Sequence, residues 1–448
     1  MKTIKLTLAG AMLASSLVGA AGVNAAVPGP SGTFASAFTV QNLAGSTATC
    51  VYQFYDAAGA LKHTSASFPL GVGASASTYV PSIGGLAAGQ YAGVISCDQQ
   101  VAAVVNHSAN GGANSGASYD GVDSTKVANT WFAPNAFNNY YGFSTNFVVQ
   151  NTTGAAVQVT VQIFAAGNPN AVATQTANIA ANGYSNFEQK GLAGMNAGTA
   201  YSAKISANGN IAVEANVYGE GAAAGQLYSY TPFTSGSTTA YAPLTMNNYY
   251  GYNSSVNVQN VGTTATNITI TYGNGSSKTV NNVQPGGLAE FLQAAAGSGV
   301  ASGDKQPAKV TSSGQPVVVL VNQSSAKNRA ASYTGASAGS TTVRLPTIHR
   351  RYFKYSSAIN CQNIGGAAAT ISIAYSGSAV TSVSGSIAPG GLFEVVTPFA
   401  TSLPDGYNGA ATATSSQPLV CIANEDIIEG ADANNNADTL YSYEGVGQ

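Results

Sequence analysis

Four oxygen-bearing side chains at alternate positions, Asp432, Asn434, Asn436 and Asp438, lie in the densest polar stretch of the chain, NEDIIEGADANNNAD at 424–438. Carboxylates and amides at that spacing are how calcium loops present oxygen ligands, so this run is the candidate metal site, and calcium the one candidate cofactor. It departs from the helix–loop–helix calcium pattern in two places. Ala437 stands where the turn glycine belongs, and Tyr443 where the bidentate glutamate belongs. A solvated asparagine-rich loop is the competing reading of the same residues.

The other groups capable of chemistry are thinly spread. His63, His107 and His349 fall at unrelated places, and no nucleophile–base, zinc-ligand or phosphate-cradling spacing accompanies them. Histidine acting as a general base needs a positioned partner and a nucleophile or metal. Glu188, Glu290 and Glu394 recur beside a turn, a position where carboxylates are usually structural. The expectation is a protein without catalytic residues. Three aromatic pairs, Tyr140-Tyr141, Tyr249-Tyr250 and Tyr352-Phe353, offer two roles. Flat rings can cover sugar faces, or they can pack where one module meets the next.

The elements that carry these residues repeat. NNYYGFSTNFVVQNTTG at 138–154 returns as NNYYGYNSSVNVQNVG at 247–262 and RRYFKYSSAINCQNIGG at 350–366, with a shorter copy, TFASAFTVQNLAG, at 33–45. Aligned on Gln41, Gln150, Gln259 and Gln362, the copies are 109, 109 and 103 residues apart. A period of two runs through each copy, the mark of half-buried strands. Its inward positions read Phe38/Val40, Phe147/Val149, Val256/Val258 and Ile359/Cys361. About seven short strands per copy, separated by Asn-Gly and Pro-Gly turns, predict an all-β fold. The prediction is four tandem immunoglobulin-like antiparallel β-sandwich domains after a signal peptide. The expected boundaries are 26–126, 127–236, 237–340 and 341–448. A recurrent proline (Pro134, Pro243, Pro346) precedes each aromatic pair, which reads as a short join and predicts sandwiches stacked in a row. The first copy lacks this leading segment, since only residues 26–32 precede its aligned start.

The first 25 residues have a short basic start (Lys2, Lys5), a broken apolar run and a Val-x-Ala exit. That is the layout of a secretory leader, cleaved after Ala25. It predicts a secreted, extracellular or cell-surface protein with no transmembrane segment in the mature chain. Cys50 and Cys97 lie in the first copy and Cys361 and Cys421 in the fourth, all at inward positions. In an exported chain the economical pairing is Cys50–Cys97 and Cys361–Cys421. Six N-x-S/T sites, among them Asn151, Asn267 and Asn322, are candidate glycosylation acceptors. Charged residues are only 7% of the chain, with 17 acidic against 15 basic. No basic patch could track a phosphate backbone, which argues against nucleic acid as a partner. Low net charge favours self-association.

Copies three and four, at VQNVGTTATNITITY…VQPGGLAEF and CQNIGGAAATISIAY…IAPGGLFEV, carry a shared pattern. A strand ends in Gln-Asn, then come a Gly turn, an alternating strand and a Pro-Gly-Gly turn. This resembles the bacterial cell-adhesion-related (CARDB-like) immunoglobulin-like surface modules. The resemblance implies a surface role and brings no catalytic residues. The resulting expectation is a non-enzymatic structural protein that self-assembles into a filament, sheath or surface layer. In it, the first copy accepts a strand from the end of the fourth copy of another chain. The alternative is a monomeric adhesin binding cell-surface glycans.

Overall fold

The computed structural model describes residues 11–19, 33–110, 115–400, 402–430, 433 and 437–447. Nearly every element is a strand. The described helices are one short turn, Thr397–Ala400, and two 3-10 turns. All pairings are antiparallel, as the turn-rich, period-two sequence requires.

The marker glutamines sit in equivalent strands, Thr33–Asn42, Phe143–Asn151, Tyr252–Asn260 and Ser356–Asn363. Their register is conserved across the repeats. Gln41 faces Ser75 and Ala102, Gln150 faces Tyr184 and Ala212, Gln259 faces Leu288 and Val318, and Gln362 faces Leu392 and Val420. In the third repeat the strands form two four-stranded sheets that share one apolar core. In the second and fourth, single long strands, Tyr201–Gly219 and Tyr407–Asp426, run through both sheets instead of two separate strands.

The asparagine after each marker glutamine fixes the turn that follows, a role its conspicuous repetition had not revealed. Asn151 Nδ2 donates to the carbonyls of Ala155 (2.7 Å), Ile179 (3.1 Å) and Ala180 (3.0 Å), while its Oδ1 accepts from Thr153 N (2.9 Å). Asn42, Asn260 and Asn363 make the same clamp in their own repeats. All four are fully buried, and one amide satisfies several backbone groups that the turn would otherwise leave unpaired.

The proline segments are strands of their own repeats or follow one directly: Ala128–Ala133 ends just before Pro134, while Thr239–Asn247 and Ser340–Arg350 contain Pro243 and Pro346. Each pairs with the strand that precedes the long apolar one, or with the first half of the fused strand. Pro243 and Pro346 sit at register shifts, where a missing N–H costs no ladder bond. The closing tyrosine then pins the residue after each proline: Tyr230 donates to Asn135 O, Tyr333 to Leu244 O and Tyr443 to Thr347 O. The reading of this segment as a join is thereby corrected; its pairing partners lie 57–83 residues downstream. In the first repeat the equivalent position beside Gly89–Cys97 is taken by Ala11–Gly19, a stretch the sequence assigns to the leader.

The repeats do not follow one another in a row. The closing strands Gly116–Asp120, Leu227–Tyr230, Ala330–Thr334 and Tyr441–Glu444 pack against one another in order, and the fourth packs back on the first. Core residues are exchanged in the same sense. Leu320 of the third repeat joins the core of the second, Ile422 of the fourth joins that of the third, and Val104 of the first joins that of the fourth. The result is a closed ring of repeats. It removes the end of the fourth repeat as a free donor strand. Tyr441–Glu444 pairs within its own repeat, and Ser442 N donates to Ser118 Oγ of the first repeat at 2.8 Å.

Candidate functional site

The aromatic pairs lie at tight turns between the proline-bearing strand and the marker strand. Tyr140 and Phe143 exchange backbone hydrogen bonds (2.8 and 2.9 Å), as do Tyr249 with Tyr252 and Tyr352 with Tyr355. The two central residues have positive φ in each: Tyr141 and Gly142, Tyr250 and Gly251, Phe353 and Lys354. That is the geometry of two-residue hairpin turns. The two rings of a pair touch, with centroids 4.6–4.7 Å apart, but the second stands at the centre of the turn and faces solvent while the first reaches a protein partner. Tyr141, Tyr250 and Phe353 are 74%, 85% and 78% exposed. Tyr140 instead donates to Glu290 Oε2 of the next repeat at 2.9 Å, Tyr249 lies under the Lys305 ammonium (4.6 Å), and Tyr352 stacks on His349 (5.3 Å).

The recurring carboxylates reach across seams. Burial raises the Glu290 carboxyl above its ordinary value, against the lowering effect of the Tyr140 hydroxyl. Glu394 pairs with Lys305 of the preceding repeat. Glu188 instead accepts from Tyr218 of its own repeat, at 2.8 Å.

Each seam carries different chemistry. Between the first and second repeats, His107 Nε2 meets Glu214 Oε1 at 2.9 Å, both buried. Between the second and third, Val217 and Leu320 share an apolar core. Between the fourth and first, Asp120 and Glu444 share a hydrogen bond; burial and the Glu444 charge hold the Asp120 carboxyl well above the carboxylate range.

The third–fourth seam is the most elaborate. Arg329, 1% exposed, directs Nε to both Asp426 oxygens (3.1 and 3.2 Å) and Nη1 to Ala437 O (2.8 Å), while Tyr252 and Thr439 also donate to Asp426. A cavity of about 730 Å³ opens beside this ion pair. Its fourth-repeat side is the outward face of Ser356, Ala358 and Asn360; Leu244 and Met246 face them from the third repeat, and Tyr250 and Phe399 stand at the exposed edge. Sequence reasoning missed Arg329, Asp426 and Asn360. An arginine in so charge-poor a chain was the signal available.

Of the calcium candidates, Asp432, Asn434 and Asn436 lie outside the described residues. Asp438 is buried, and its oxygens accept from Ala330 N (2.8 Å), Leu440 N (3.3 Å) and Leu227 N (2.9 Å). Its carboxylate thus ties three repeats together, and burial raises its proton affinity well above the usual carboxylate range. Cys50 is bonded to Cys97 and Cys361 to Cys421, each pair directly opposed across two strands. Two disulfides fit an extracellular protein. Of the glycosylation candidates, Asn151 and Asn322 are buried while Asn267 is exposed.

No protein family and no curated protein matches the chain. Among solved structures, it is similar to Thermotoga maritima 1070, at 14% identity over 24% of this chain and 94% of that one, TM-score 0.22. It is also similar to a tetra-tandem repeat in the extending region of a large adhesion protein, at 14% identity over 91% of this chain and 93% of that one, TM-score 0.12. Among the described residues no helix is long and apolar enough to cross a membrane.

Proposed function

We propose that the chain is an exported, non-enzymatic structural protein of the cell surface. In this reading four immunoglobulin-like sandwiches close into a ring, and rings assemble with one another by strand addition. The observation that carries it is the pairing of Ala11–Gly19 with Gly89–Cys97, in the position that Ala128–Ala133, Thr239–Asn247 and Ser340–Arg350 fill in the other repeats. A leader removed on export takes that strand with it. Gly89–Cys97 then keeps Ala48–Tyr55 on one side and presents an open edge on the other. An unpaired edge beside an apolar core is a template for a strand from another chain. The two disulfides, the low net charge and the resemblance to cell-adhesion-related modules support a surface setting.

The test is to purify residues 26–448 and follow them by size exclusion and negative-stain microscopy. Polymers are expected, and a peptide TAYAPLTMN, copied from Thr239–Asn247, should fill the edge and cap them. A discrete monomer that neither polymerises nor binds the peptide would remove the assembly reading. The alternative, a monomeric adhesin or carbohydrate-binding surface protein, draws on the cavity at the third–fourth seam and calls for glycan-array hits from a discrete particle.

A further inference from the structure

We infer that the cavity between the third and fourth repeats is a binding site for an uncharged pyranose saccharide, held by Asn360. Asn360 is 0% exposed, yet neither its Oδ1 nor its Nδ2 has a protein hydrogen-bond partner, and it lines the cavity. A buried amide with both ends unspent is destabilising, because each end has given up its bonds to water without replacement. Its neighbours explain the orientation. Ile359 and Cys361 face the core of the fourth repeat, so strand alternation turns Asn360 outward, toward the third. The same position in the third repeat, Asn257, spends its Nδ2 on Ser255 Oγ at 3.2 Å. Asn360 has no such neighbour.

The walls select the ligand. The ionised pairs nearby are internally matched: Arg329 with Asp426, and Lys305 with Glu394. The remaining cation of the lining, Lys327, directs its Nζ to the Ala433 carbonyl at 3.2 Å, so the polar group of the lining left for a ligand is the neutral Asn360 amide, which suits an uncharged ligand better than a nucleotide or an acid. Asn360 offers one donor and one acceptor on a single edge, the complement of two adjacent sugar hydroxyls. Leu244, Met246 and Val396 give apolar contact, and the exposed rings of Tyr250 and Phe399 can cover the apolar face of a sugar at the mouth. The volume of about 730 Å³ falls within the roughly 300–1,000 Å³ of pockets that enclose small ligands. The site does not depend on whether rings assemble, because it lies wholly within one chain.

The experiment is titration calorimetry of the full-length chain against a panel of neutral disaccharides of hexoses and N-acetylhexosamines, with adenosine and benzamide as other donor–acceptor probes. At least one saccharide should bind with one site per chain. Asn360→Ala should weaken it tenfold or more while leaving the thermal midpoint unchanged or higher, since it removes an unpaired buried amide. Tyr250→Ala, at an exposed turn, should weaken the same saccharide without affecting folding. Absence of binding across the panel would overturn the inference. So would saccharide binding that survives Asn360→Ala, or binding of adenosine or benzamide alone.

Discussion

His107 of the first repeat and Glu214 of the second form a buried pair, 2.9 Å apart, at positions where the next seam places Val217 and Leu320 in one apolar core. The ring therefore solves one packing problem twice, once with a hydrogen-bonded polar pair and once with hydrocarbon. Removing one partner of a buried polar pair leaves the other unsatisfied. Glu214→Ala should lower stability by about 1–3 kcal/mol in urea titrations. The double change His107→Val with Glu214→Leu, copied from the second–third seam, should recover most of that loss. A double variant no more stable than the single one would show that the polar pair is required for the seam.

The asparagine clamp is expected to dominate turn stability. Asn260 donates to Thr264 O (2.8 Å) and Val283 O (2.9 Å) and accepts from Gly262 N (2.9 Å). Asn260→Ala strands three backbone groups and should cost about 3 kcal/mol. Asn260→Asp keeps the acceptor but sets a carboxylate against two carbonyls, so its loss should exceed that of alanine near neutral pH. Denaturation midpoints would separate the two, and a change under about 0.5 kcal/mol for Asn260→Ala would refute the clamp.

At the fourth repeat's turn, Lys354 has φ 75°, where the second and third repeats have Gly142 and Gly251. A left-handed conformation costs a side-chain-bearing residue roughly 1–2 kcal/mol. Lys354→Gly should raise the thermal midpoint of the chain. Gly251→Ala, whose added methyl meets nothing within 4 Å, should lower it through the backbone alone. Calorimetry of both variants checks the pair of signs.

His349 gives stability a pH dependence. Burial pulls its proton affinity down, but the Glu425 charge and hydrogen bond, at 3.3 Å, outweigh it and leave the pKa above the ordinary 6.5. The folded protein thus holds the proton more tightly than the unfolded chain. This contribution is fully present below pH 6.5 and fades as pH rises through the higher folded value. His349→Gln should flatten that decline. Parallel urea curves for wild type and variant from pH 5.5 to 9 measure the difference.

The strands were legible because the period-two pattern is local. Phe147 and Val149 can be assigned inward from their neighbours alone, and both are buried. The cysteine pairs were legible because only one economical pairing existed. Ring closure was not, because Val104, Leu320 and Ile422 look like ordinary core residues of their own strands. Nothing local tells an apolar side chain that serves its own sheet from one that enters the neighbouring core. The prolines misled for a related reason. Pro243 breaks a short motif into what looks like a join, while its strand partner, Asp304–Ser312, is far away in the chain. The binding cavity lay beyond reach because it needs Asn360 to be set against Met246 and Tyr250 of another repeat.

Joining the repeats in one polypeptide frees each seam from copying the others. A tetramer of identical subunits would present any inter-subunit pocket four times and would have to pair every buried charge at all four contacts. Here the Arg329–Asp426 ion pair belongs to the third–fourth seam, the His107–Glu214 pair to the first–second, and the cavity beside Asn360 to the third–fourth. Ligand stoichiometry should therefore be one per chain. A change at one seam can alter recognition without disturbing the three that hold the ring shut.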